Sequence, residues 1–133
     1  MLKFEKDADM KRAIIQVRAE QDASAVLESM DRDFVDAWKG AKATDPIATF
    51  TFSSPTQLFS VISPKRWELI EHLQRIGPSS IRGLSRSLER DIRRVHDDVK
   101  ALIEWGIIER DDDGKVLVPF DVIHADFDLR AVA

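Results

Sequence analysis

Residues Ser79-Ser80-Ile81-Arg82-Gly83-Leu84-Ser85-Arg86-Ser87-Leu88-Glu89-Arg90-Asp91-Ile92-Arg93-Arg94-Val95-His96-Asp97-Asp98-Val99-Lys100-Ala101-Leu102-Ile103-Glu104-Trp105-Gly106 hold two amphipathic helical patterns separated by a polar break. Ile81, Leu84, Ser85 and Leu88 share one side at 100° per residue, which leaves Arg82 and Arg86 on the other. In the next pattern Ile92, Val95, Val99, Leu102 and Ile103 cluster around the core direction. The opposite face then carries Arg90, Arg93, Arg94, Asp97 and Ala101. Two helices joined by so tight a break read as a helix-turn-helix, with residues 91–105 as its second helix.

Downstream, Ile107-Ile108-Glu109-Arg110 and Lys115-Val116-Leu117-Val118 flank Asp111-Asp112-Asp113-Gly114. The closing Asp-Gly is a hairpin signal, because glycine supplies positive φ. A hairpin behind a helix-turn-helix is a wing. Upstream, Ser63-Pro64 starts a helix, since serine caps and proline tolerates the first helical position. Its core stripe is Leu69, Ile70, Leu73 and Ile76 with Trp67 beside it, and Gly77-Pro78 ends it. Ser54-Pro55 repeats the device for a shorter helix carrying Leu58, Phe59 and Ile62.

The flanks read as α/β. Ala13 to Arg18 is rich in β-branched residues and suits a strand, Asp22 or Ser24 starts a helix through about Lys39, and Ile47 to Phe52 alternates as a strand with one apolar face. One long helix over about 7–39 is the alternative to strand then helix. Val122 to Leu129 alternates as a half-buried strand and is expected to join the N-terminal strands in a small mixed sheet. The expected organisation is therefore an α+β chain: a strand-helix-strand extension over 1–53 for dimerisation or partner binding, a winged helix-turn-helix over 54–119, and a C-terminal strand over 120–133 packing on the N-terminal part.

The 133 residues can bury a core, and 44% apolar with 33% charged residues is ordinary for a soluble protein. No apolar run of membrane-spanning length and no signal-peptide pattern is visible, so a cytoplasmic location is expected. With no cysteine and three scattered histidines, neither disulfide nor metal site is expected, and no cofactor. The net charge of −4 is unevenly spread, and only residues 63–110 are net positive. That asymmetry favours nucleic acid as the partner of the helical segment.

The arginines give the expected interface its chemistry. A guanidinium pairs bidentately with guanine O6 and N7 or grips phosphate, so Arg90, Arg93 and Arg94 on the first turns of the recognition helix are the expected readers, with Arg82 and Arg86 in support. Ser79 and Ser80 cap the preceding helix and can also offer a phosphate hydroxyl and backbone N–H donors. Lys100, Arg110 and Lys115 complete the expected set. Asp97 is expected to orient Arg93 or Arg94, Asp98 to face solvent, and His96 to be partly buried. Three aspartates at the wing tip repel phosphate, so the wing should only skim the backbone.

Residues 63–70, 80–88, 90–102, 118–121 and 123–127, with Phe50-Thr51-Phe52-Ser53-Ser54-Pro55 and Leu58 upstream, resemble MarR-like winged-helix transcriptional regulators of bacteria and archaea. The resemblance covers roughly 47–129 and implies an autoregulatory DNA-binding protein, in many relatives the antitoxin of a toxin-antitoxin pair; a homodimer on a palindromic operator is the leading expectation. Glu89 departs from it, where such proteins more often carry glycine. The competing expectation is a protein-interaction module that neutralises a toxin, with DNA binding secondary. No nucleophile-base set or phosphate loop is present, so an enzyme is not expected.

Overall fold

The computed structural model describes residues 10–18 and 46–129. It is an α+β protein that divides into two compact units, one containing the described residues up to Leu58 and from Val122 on, the other spanning Phe59–Asp121. The helix expected between Asp22 and Lys39 lies outside the described residues.

The first unit is built on strands β1 (Arg12–Val17), β2 (Ala48–Phe52) and β5 (Val122–Asp126), in the order β2-β1-β5. Both pairings are parallel, with Ile15 opposite Phe50 on one side and Ala125 on the other. The expected mixed sheet is thus corrected to a wholly parallel one. Parallel neighbours need a crossover of a dozen or more residues, and the chain between each pair of these strands is long enough to supply one. Alternation puts Ala13, Ile15, Phe50 and Phe52 into the core at 8% exposure or less, while Thr49 and Thr51 stay in water. Across that outer face Gln16 Nε2 donates to Thr51 Oγ1 at 3.0 Å. The strand reading of residues 13–18 holds, and the long-helix alternative fails for the described part. β5 is shorter than the alternation to Leu129 predicts, and Leu129 is 80% exposed.

Helix α1 (Pro55–Val61) follows β2, with Ser54 Oγ accepting from the Gln57 backbone N–H. Leu58 and Ile62 are buried, but Phe59 turns outward.

In the second unit, α2 (Pro64–Ile76) starts on Ser63, whose side chain accepts from the Arg66 N–H, and ends at Gly77 with φ 77°. Leu69, Ile70 and Leu73 are buried as the stripe predicts; Ile76, in the last turn, is not. Helix α3 (Ile81–Leu88) is capped by Ser80 and closed by Glu89 at φ 54°, ψ 45°. Glu89 is the one non-glycine residue with positive φ among the described residues, at the position where the resembling proteins carry glycine. A left-handed conformation costs an L-residue roughly 1 kcal/mol. It closes the turn through N–H bonds from Glu89 to Arg86 O and Arg90 to Ser85 O, and Ser85 Oγ donates back to Arg90 O at 2.6 Å.

Helix α4 (Ile92–Trp105) starts from Asp91, whose carboxylate accepts from the Arg94 N–H, and stops at Gly106 with φ 84°. Val95, Val99 and Leu102 are fully buried, whereas Ile92, assigned to the core by periodicity, is 42% exposed. β3 (Glu109–Arg110) and β4 (Val116–Leu117) form an antiparallel hairpin, and Ser79 bridges Val116 from the far side. Thus Ser79, expected as a cap, instead exchanges both backbone hydrogen bonds with Val116, at 3.0 and 2.8 Å. Ser80 alone caps.

Candidate functional site

Three helices and one hairpin carry the basic side chains of the second unit. Arg82 and Arg86 lie exposed on α3, four residues apart, as its amphipathic pattern requires. On α4, Arg93, Arg94, Asp97 and Lys100 are all exposed, so their charged groups are available to a partner. This face is what the helical arithmetic predicts.

Arg90 departs from it. Its side chain is only 16% exposed, and Nη2 donates to Asp98 Oδ2 at 2.7 Å. The other carboxylate oxygen, Asp98 Oδ1, accepts from Arg66 Nε at 3.0 Å, while Arg66 Nη1 donates to the Val61 carbonyl at 2.7 Å. Asp98, expected in solvent, is 15% exposed and joins α2, the α3–α4 turn and α4 through one carboxylate. Periodicity misplaced both residues because it places a side chain by its angle on its own helix, and here the neighbouring α2 covers that flank. An Arg at the start of α2 with an Asp seven residues into α4 was the signal available.

Asp97 makes no ion pair with Arg93 or Arg94 among the described residues. It lies 3.7 Å from His96 Nδ1, and both are exposed. His96 is therefore corrected from partly buried to solvent-facing.

In the hairpin, Asp111 Oδ1 accepts from the Asp113 and Lys115 N–H groups, each at 2.9 Å, and Gly114 takes φ 79°. One of the three tip aspartates is thereby spent on holding the loop. Arg110 Nη1 donates to Gly114 O at 3.3 Å, which ties it to its own hairpin, and Lys115 remains exposed.

Lys65, Arg90, Asp91 and Arg94 line an open depression on the α2 side of α4. Lys65 is 67% exposed and lies 3.7 Å from Glu68. Lys65 was absent from the expected site, because its α2 position is distant in sequence from α4.

Among the described residues no group of histidine and acidic side chains could hold a metal, and no helix is long and apolar enough to cross a membrane. Residues 61–125 match the family model described as HVO_A0114. The chain is similar to that family over this stretch. No curated protein and no solved structure matches.

Proposed function

We propose that this protein is a sequence-specific DNA-binding transcriptional regulator of the MarR-like winged helix-turn-helix kind, acting as a homodimer and an autorepressor. The observation that carries the reading is the exposed row Arg93, Arg94 and Lys100 on α4, behind a capped α3 and beside a hairpin bridged by Ser79. Helix α4 is the recognition helix. Its first turn offers two guanidiniums to base edges or phosphates, and Arg82 and Arg86 supply backbone contacts from α3. Two protomers would place two such helices in successive major-groove faces of a palindromic operator.

Occupation of that operator would exclude polymerase from the protein's own promoter. The hairpin contributes little, since Asp112 and Asp113 stand exposed at its tip and Arg110 is engaged at home. A cytoplasmic location follows from the role. The antitoxin role within a toxin-antitoxin pair is carried by the family resemblance alone, and co-purification with the neighbouring gene product tests it.

The deciding experiment is a mobility shift on the upstream region of the protein's own gene across a salt series. Binding that weakens steeply with salt and is lost in Arg93→Ala/Arg94→Ala supports the reading. Undetectable binding, or binding indifferent to that double change, overturns it.

A further inference from the structure

We infer that Lys65, Arg90 and Arg94 form a socket for one phosphate group on the α2 side of α4, with Arg94 shared between this flank and the exposed row. The inference rests on the DNA-binding reading for the source of that phosphate, but the socket itself is argued from charge and unsatisfied donors.

Arg66, Arg90 and Asp98 together carry a net charge of +1, because one carboxylate serves two guanidiniums. Each Asp98 oxygen accepts from one arginine, and neither accepts from Arg90 Nη1. Arg90 Nη1 is buried from water and has no hydrogen-bond partner. A buried donor of this kind is costly to leave without an acceptor, the more so when it is charged. Arg90 lines the depression together with Lys65 and Arg94, so two further cations stand at the same opening.

The fourth lining residue is Asp91, whose sign opposes an anion. Its carboxylate is already directed to the Arg94 N–H at 3.3 Å as the helix cap. With their partners included, the cations Lys65, Arg66, Arg90 and Arg94 stand against the carboxylates Glu68, Asp91 and Asp98, which leaves the opening net positive by one charge. A tetrahedral oxyanion suits it, since it can accept from a guanidinium and an ammonium at once. The contribution is sequence-independent: it fixes the register of α4 on the duplex while Arg93 and Lys100 face the bases.

Lys65 is the discriminating residue, being remote from the recognition helix in sequence and highly exposed. Binding of the full-length protein to its upstream DNA and to an unrelated duplex of equal length, for wild type and Lys65→Ala, tests the socket. The expected result is a roughly equal loss, about three- to tenfold, on both duplexes, with a salt slope shallower by about 1. A second arm titrates inorganic phosphate against the free protein and follows amide shifts by NMR. Shifts at Arg90, Arg94 and Lys65 that vanish in Lys65→Gln show a socket that takes free phosphate; their absence alongside the DNA effect shows one that takes only the duplex backbone. Unchanged affinity for both duplexes together with no phosphate-induced shift overturns the socket. Loss on the specific duplex alone also overturns it, by making Lys65 a base reader. If wild type binds neither duplex while phosphate still shifts these amides, the DNA reading fails and the socket stands.

Discussion

Helix α4 and the β3–β4 hairpin treat their acidic residues in opposite ways. Beside α4, Asp98 is enclosed and holds two arginines from separate elements, so a negative charge organises positive ones. At the hairpin, Asp111 bonds only its own loop and Asp112 and Asp113 stay in water, so the charge is left facing outward. The lesson is that counting carboxylates does not give the field a partner meets. What matters is which of them are already matched.

The largest expected effect comes from breaking the organised end. Asp98→Ala leaves two half-buried guanidiniums facing each other without their counter-charge, and removing one partner of a buried pair costs about 3–5 kcal/mol. Because these side chains keep some solvent contact, a loss of about 2–3 kcal/mol is expected in a urea titration of the full chain. A midpoint equal to wild type would show that the bridge organises nothing. Core truncation tests the first unit in the same way: Ile15→Ala, at a position 1% exposed, should cost about 2–4 kcal/mol by the same titration.

Function should divide along the same comparison. Arg93→Ala/Arg94→Ala should reduce specific DNA affinity at least tenfold in a mobility shift while leaving the urea midpoint within about 0.5 kcal/mol, since both side chains are exposed. Asp112→Asn/Asp113→Asn removes two exposed negative charges from the hairpin and should strengthen non-specific duplex binding about two- to fivefold at low salt, an effect that fades as salt rises. An unaltered affinity would mean that the hairpin never approaches the duplex. The smallest effect is local. Glu89→Gly relieves the left-handed strain and should raise stability by a few tenths to about 1 kcal/mol, with the unfolded chain's gain in freedom opposing it.

Much of the fold could be read from local chemistry. Ser63-Pro64, Gly77 and Gly106 mark helix ends because capping and positive φ are properties of single residues and their neighbours. The alternation of Phe50 and Phe52 against Thr49 and Thr51 announces a strand with one wet face. The exposed row on α4 was equally legible, since Arg93, Asp97 and Lys100 follow directly from 100° per residue. The site's other half was not. Arg90, Ser79 and Asp98 owe their roles to partners 8 to 37 residues away.

The amino-acid sequence by itself determined where helices and strands begin and end, which faces are apolar, and which helix presents arginine to solvent, because each depends on short-range periodicity and capping. Tertiary structure alone decided the parallel order β2-β1-β5, the bridge from Ser79 to the hairpin, and the capture of Arg90 by Asp98. Those depend on which elements meet, and a charge's surroundings, rather than its helical angle, set whether it is spent inside the protein or offered outside.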